Sequence, residues 1–312
     1  MKKNKLLGNI ILFATAIIWG SSFSFQRESA KVTPPYTYNA TRILLAALFL
    51  WALTLIMEKT DLGGYSMKKH PGKQTNTLWR GGIICGFFLA GGTAMQQIGL
   101  EVTTAGKCAF LTSLYTVLVP LFAWLLFKQR ISVKRILGVA IAVCGLYLLS
   151  VTEQMTVATT DIIVIGGAFC FAMQMLSVEH FLGTNNPIKF SAIQFSVCAV
   201  INWILAFAFE TPTWEVIVPS MVSILYVGIL SGAVGYTTQI IGQSMTDASI
   251  GALICSLESV FGALFAWLFL HELMSVRELI GAALMFAAVI IVQLPKKLKA
   301  AENSIKTDTT KN

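Results

Sequence analysis

The sequence predicts an all-α membrane protein: ten transmembrane helices arranged as two inverted five-helix repeats, with both termini cytoplasmic. Three observations lead there. First, 55% of the 312 residues are hydrophobic and only 12% are Asp, Glu, Lys or Arg, about half the charge of a soluble globular chain. Second, those scarce charges crowd into the termini and a few connectors and fall mostly on one side of the apolar runs between them. Third, the chain repeats itself at an offset of 143 residues.

Each span rests on an apolar run of roughly 18 to 25 residues, the length that crosses a hydrocarbon core about 30 Å thick. The first, 7–25, follows Lys2, Lys3 and Lys5 and imitates a secretory signal. No Ala-x-Ala site closes it and equally apolar runs follow, so it reads as a retained helix. The second, 36–57, starts at the Pro34-Pro35 turn. The longest connector, polar and basic, runs from Glu58 to Arg80 and leads into 81–99. Spans 105–127 and 134–150 are separated by KQRISVKR, spans 161–180 and 188–209 by Asn185-Asn186-Pro187. Glu210-Thr211-Pro212 precedes 219–241, and 248–270 and 276–294 complete the set. The runs are continuous, unlike the short alternating strands of a membrane barrel. Residues 1–150 then form one five-helix repeat, 151–295 the second, and 296–312 a polar, Lys-rich cytoplasmic tail. All six cysteines lie within apolar segments without Cys-x-x-Cys spacing and read as small apolar residues.

The cations set the orientation. With the N-terminus in the cytoplasm, about 18 of the 23 Lys and Arg lie inside and about 3 outside (Arg27, Lys31, Arg277), leaving Arg42 and Lys107 within spans. The net charge of +8 is therefore a topology signal of an integral, multi-pass cell-membrane protein. It calls for a lipid bilayer as partner and for no nucleic acid.

The repeat is the most informative feature. SLYTVLVPLFAWL (113–125) falls on SLESVFGALFAWL (256–268), Gln96 falls on Gln239, and about 17 of 45 positions are identical. Each half holds five spans, an odd number, so the second copy enters the membrane from the opposite side. Inverted repeats are characteristic of secondary transporters, whose halves rock around a site near the bilayer midplane.

At IIWGSSFSFQ (17–26), YNATRILLAAL (38–48), TTAGKCAFLTSLYTVLVPLFAWLL (103–126) and DASIGALICSLESVFGALFAWLFLHELMS (247–275) the sequence resembles the EamA family of the drug/metabolite transporter superfamily. The resemblance covers nearly the whole chain as two tandem units. It implies a ten-helix inner-membrane carrier, commonly an exporter of amino acids, related metabolites or toxic compounds. One corner departs from the pattern: the second copy keeps Glu272 before Ser275, whereas the first reads Gln129-Arg130-Ile131-Ser132.

Ionisable residues inside spans are costly and mark function by default. Glu258 lies about ten residues into the ninth span, roughly 15 Å deep, beyond headgroup reach from either side. It must face a polar cavity, find a cation or carry a proton, as a proton-coupling acid, a counter-ion for a substrate amine, or a structural carboxylate. Its repeat mate is Tyr115. Gln96 and Gln239 are candidates to line the same cavity. Arg42, about 9 Å deep, is a substrate or anchoring cation, and Lys107, in the first turn of its helix, is assigned to an external vestibule. Trp19, Gln174, Gln194, Asn202 and Tyr236 read first as packing or interhelical hydrogen bonding. Gly82/Gly86 and Gly228/Gly232 have the spacing for close helix packing, Gly91-Gly92 and Gly235 suit packing or flexing, and Pro120 is expected to kink the fourth span.

His70, His180 and His271 form no metal set, no cofactor motif is present, and a P-loop is absent, which leaves a gradient-driven carrier of a small-molecule substrate. The leading expectation is an exporter working by alternating access, with proton coupling and oligomeric state open. An uncoupled facilitator or anion exchanger is the alternative. An intramembrane enzyme or a non-transporting assembly or sensor protein is the alternative of another class.

Overall fold

The computed structural model describes residues 4–60, 73–103, 105–129, 131–150, 159–183, 185–270 and 275–293. Its helices are α1 (Lys5–Ser29), α2 (Pro35–Thr60), α3 (Lys73–Val102), α4 in two pieces (Ala105–Ser113 and Tyr115–Phe127), α5 (Val133–Ser150), α6 (Thr159–Phe181) and α7 (Pro187–Phe209). Then follow α8 (Trp214–Met245), α9 in two pieces (Ala248–Cys255 and Glu258–Leu270) and α10 (Val276–Gln293). Among the described residues, nine helices are long and apolar enough to cross a membrane; α5, of 18 residues, is not counted with them. Most of the basic connector near 58–80, with His70, lies outside the described residues. So do Glu272, His271 and the tail after 295.

Local chemistry sets several helix starts. Asn186 Oδ1 accepts from Ile188 N at 2.9 Å and Lys189 N at 3.3 Å, capping α7 just before Pro187 fills its first turn. Before α10, Ser275 and Glu278 form a capping box: Ser275 N donates to Glu278 Oε2 at 2.6 Å and Glu278 N to Ser275 Oγ at 3.3 Å. Glu210, at the end of α7, accepts from Tyr36 N at 2.9 Å and Thr37 N at 2.7 Å, capping α2 from another helix.

The exterior is apolar and the interior, beside an apolar core, holds many polar side chains. Phe207 and Val222 are 69% and 73% exposed, while Thr37, Asn39, Gln97, Gln194 and Asn202 are fully buried. That inversion of the soluble pattern fits a bundle whose outer solvent is hydrocarbon. Neighbouring helices pair α1 with α8 and α9, α6 with α3 and α4, α2 with α8, α3 with α7, and α2–α7, α4–α9 and α5–α10 with one another. Exchanging every helix for the one five places along leaves this set of partners unchanged.

Contacts between helix ends sort the ends onto two faces. On one, Arg27 at the end of α1 donates to the Leu100 and Glu101 carbonyls at the end of α3. There too Thr33 Oγ1 donates to Val216 O near the start of α8 at 2.8 Å, and Lys107 at the start of α4 pairs with Asp161 at the start of α6 at 2.8 Å. On the other face, Arg135 of α5 pairs with Asp247 before α9 at 2.5 Å, Lys189 of α7 pairs with Glu58 of α2 at 2.8 Å, and Glu179 of α6 accepts from Ala248 N at 2.9 Å. These are called the Arg27 face and the Asp247 face below.

Three of the spans are irregular. Spans 105–127 and 248–270 are not single rods: α4 breaks at Leu114 and α9 at Ser256-Leu257, matching places in the repeat. Pro120 is not the cause, because the second copy has Ala263 there and breaks all the same. At both breaks the backbone shortens to three-residue bonds, Leu114 N to Leu111 O at 3.3 Å and Leu257 N to Ile254 O at 3.1 Å, and Ser256 Oγ takes the Leu253 carbonyl at 2.8 Å. Span 219–241 is likewise irregular, with a π-helical stretch over Tyr226–Gly235. Such widened turns recur at functional sites.

Glycine lets the helices touch. A Cβ on Gly82 would lie 2.6 Å from Ile193 Cγ2 and one on Gly86 2.6 Å from Gln194 O, so α3 lies directly on α7; one on Gly228 would lie 2.8 Å from Arg42 O, joining α8 to α2. A close backbone approach joins α5 to α10, where a Cβ on Gly281 would meet Gly145 O and Leu149 N, both at 2.6 Å. We expect Gly281→Ala to cost about 1–3 kcal/mol by overpacking, read as a lower thermal midpoint in detergent; an unchanged midpoint would show that this backbone contact contributes nothing.

Candidate functional site

The two broken helices cross at their breaks. Tyr115 and Glu258 each open the second piece of their helix, so the same local interruption turns both side chains inward. Tyr115 Oη donates to Glu258 Oε1 at 3.0 Å. Beside that bond Ser113 Oγ and Ser259 Oγ lie 2.6 Å apart, and Ser259 Oγ also donates to Ala109 O at 3.3 Å. The residues matched by the repeat thus meet each other across the bundle. Glu258 is only 4% exposed, and among the described residues it accepts from the Tyr115 hydroxyl and has no lysine or arginine within 4.0 Å.

A cavity opens over this junction. Tyr115, Glu258 and Thr112 form one wall, Trp19, Ser22, Phe23 and Gln26 of α1 a second, Phe171, Gln174 and Met175 of α6 a third. Arg42, Thr93, Gln96, Ser231 and Tyr236 complete it. The space open to the centre of a water molecule is about 40 Å³, room for roughly three waters. Gln26, Arg42, Gln96 and Thr112 lie within two or three turns of the helix ends on the Arg27 face, so the cavity spans mid-depth and that half of the bundle. Aromatic rings give it shape: Trp19 and Tyr236 have centroids 4.7 Å apart, and Trp19 Nε1 donates to Ser231 O at 3.2 Å, a carbonyl of the π-helical stretch.

Arg42 brings the positive charge. It is 5% exposed, donates from Nε to Asn39 Oδ1 at 2.7 Å, and has its guanidinium 5.5 Å from the Tyr38 ring centroid. Asn39 is itself anchored, donating to Thr93 O at 2.8 Å. Among the described residues no carboxylate lies within 4.0 Å of the Arg42 guanidinium. The cavity therefore presents an acid and a base that do not touch, framed by aromatic and hydroxyl groups. Such a site can hold a small polar solute and exchange a proton at Glu258.

The structure brings together four of the candidate residues, Glu258, Tyr115, Gln96 and Arg42, on one cavity. Gln239 is not on its wall. It is fully buried and donates to Gln174 Oε1 at 3.2 Å and Gln243 Oε1 at 2.9 Å. Lys107 is also off the wall, in its ion pair with Asp161. Trp19, Gln174 and Tyr236, read first as packing residues, do line the cavity. Ser22, Phe23, Gln26, Thr93, Thr112, Phe171, Met175 and Ser231 were not singled out by sequence. For Ser231 the Gly-rich string around it was a signal; for the others, only the rotation of each helix decides.

The chain is similar to known proteins over nearly its whole length. The EamA-like transporter family matches residues 6–151 and 158–294. An uncharacterized transporter of Archaeoglobus fulgidus is 28% identical over 93% of this chain and 87% of its own length. The uncharacterized transporter YvbV of Bacillus subtilis is 21% identical over 94% and 93%. A solved crystal structure of a protein 18% identical superposes with a TM-score of 0.72 over 92% of this chain and 96% of that one, a likeness of fold alone. The chain is an integral multi-pass membrane protein and belongs to the EamA-like transporter family.

Proposed function

We propose that this protein is a secondary active transporter that exports small organic solutes, amino acids, related metabolites or toxic compounds among them, by alternating access coupled to protons. Its working unit is a pair of inverted five-helix repeats, residues 1–150 and 151–295, forming ten spans with α5 included, and both termini lie on the cytoplasmic side of the cell membrane. The exchange-invariant helix partners support the pairing of repeats. So do the end contacts, which set the end of α1 on the same face as the start of α6. The cation count supports placing the Asp247 face in the cytoplasm.

The observation that carries the mechanism is Glu258, buried at the junction of the two breaks and facing the cavity with Tyr115 as its donor. An acid at mid-depth binds a proton while the cavity faces outward and gives it up as substrate enters from inside. Tyr115 holds the ionised carboxylate in place, and the aromatic walls bind the solute's body. Glu258→Gln in proteoliposomes is expected to reduce pH-gradient-driven flux to that of protein-free liposomes. Undiminished gradient-driven flux in that variant would remove the residue from coupling. Transported solutes are found first by a toxic-analogue resistance screen of overexpressing cells.

A second reading has one observation in its favour. Arg42, buried on the wall without a carboxylate in contact, is suited to a solute anion, as in an uncoupled facilitator or an anion or metabolite exchanger. Arg42→Gln is expected to weaken binding of carboxylate-bearing solutes about 10- to 100-fold, the 1.5–3 kcal/mol of a charged hydrogen bond. Trans-stimulated exchange with no pH dependence would favour the exchanger over the proton-coupled exporter.

A further inference from the structure

Between the cavity floor and the Asp247 face the bundle is filled by side-chain amides. Gln174 of α6 donates from Nε2 to Gln194 Oε1 of α7 at 3.2 Å. Gln239 of α8 donates to Gln174 Oε1 at 3.2 Å and to Gln243 Oε1 at 2.9 Å. All four glutamines are buried. Gln243 is wedged against the start of α9, where a Cβ on Gly251 would lie 3.3 Å from Gln243 Cγ and 3.7 Å from Leu12 Cδ1 of α1.

The chain is under-satisfied. Gln194 Nε2, Gln239 Oε1 and Gln243 Nε2 have no partner among the described residues. Turning all four amides over would exchange donors for acceptors and still leave three atoms over. Each stranded polar atom is destabilising, and a half-satisfied network is less stable than an apolar filling of the same space. Amides that served only to hold helices together would be expected to use their hydrogen-bonding atoms.

The repeat supplies the reason for keeping them. Gln96 and Gln239 are the same residue in the two copies, 143 positions apart, yet Gln96 lines the cavity and donates to Thr112 Oγ1 at 3.3 Å, whereas Gln239 lies inside the amide chain. One copy is on the cavity wall and its mate is packed away from it.

We infer that Gln174, Gln194, Gln239 and Gln243 are a latent second lining of the solute pathway. They close the Asp247 side in this state and become the polar wall of the cavity when that side opens, while Gln96 is buried in its turn. The three stranded atoms, two amide nitrogens and one amide oxygen, then meet water or the donor and acceptor groups of a small polar solute. Gln174, shared by the cavity wall and the chain, is the point where the two linings join. The inference rests on the alternating-access reading of the cavity but needs no knowledge of the solute or the coupling ion.

The test is thiol accessibility in the full-length protein in right-side-out and inside-out membrane vesicles. The probe is a membrane-impermeant methanethiosulfonate reagent, with modification read at each site by mass spectrometry so that the native cysteines do not interfere. Gln96→Cys is expected to react from the Arg27 face. Gln239→Cys and Gln243→Cys should react from the Asp247 face, at least about tenfold faster than from the opposite one, because the state exposing them is populated even if minor. If Gln96→Cys reacts and neither of the others does from either face, the amides are static and the inference falls, while the cavity reading stands. If none of the three reacts, both fall. Gln243→Leu gives an independent reading: it removes one stranded nitrogen and leaves Gln239 bonded to Gln174, so the thermal midpoint should hold or rise as transport is lost. A clear fall in the midpoint would make the amides structural glue and overturn the inference.

Discussion

A carboxylate at mid-depth in a bilayer protein cannot face hydrocarbon and has no headgroup within reach, and the architecture around Glu258 follows from that constraint. Hydrocarbon supplies no hydrogen-bond partner, so the acid must sit on the bundle axis, and its donors must come from neighbouring helices. The donor it finds is Tyr115, its own counterpart in the other repeat. For the two to meet, α4 and α9 must cross where both are interrupted, and the paired serines at 113 and 259 hold that crossing. The remaining helices of the cavity are arranged about this point, α1 and α6 on its flanks and α2, α3 and α8 closing the rest.

The duplication is approximate in sequence, and the differences fall at the site. A tyrosine in one copy faces a glutamate in the other, which makes a complementary donor and acceptor where two glutamates would repel. Pro120 faces Ala263 in the alignment, yet both helices break at the matching position. The interruption therefore belongs to the serine-bearing crossing and not to the proline. Gln96 and Gln239, identical in type, have different surroundings. A two-fold arrangement that was symmetric in conformation would give them the same ones, so the two copies differ here in conformation and not in composition.

Tight packing and polar filling divide the rest of the interior. Glycines at α3–α7, α8–α2 and α5–α10 bring backbones together, where dispersion and weak polar contacts substitute for a hydrophobic effect that lipid does not supply. Charged contacts sit at the ends, where Glu210, Glu179 and Asp247 satisfy helix starts or pair with cations. Between those levels lie the buried amides and hydroxyls.

The spans, the repeat and the mid-depth acid were legible in the sequence because each depends on one dimension only. Apolar run length measures bilayer thickness, a fixed offset reveals duplication, and counting residues from a helix start places Glu258 beyond headgroup reach and pairs it with Tyr115. What depends on rotation about a helix axis was not legible. Helices apolar on nearly every side carry little sign of which side faces inward, so Ser22, Thr93 and Met175 gave no signal, and Trp19 and Tyr236 read as packing. Nor could sequence separate Gln96 from Gln239, or show that Arg42 meets the cavity while Lys107 is paired with Asp161. By itself the sequence determined which runs form long apolar helices and that Glu258 lies well inside one of them. Only the tertiary structure decided which polar groups share a cavity and which are packed away from it, because those are properties of how nearly uniform helix surfaces are turned toward one another.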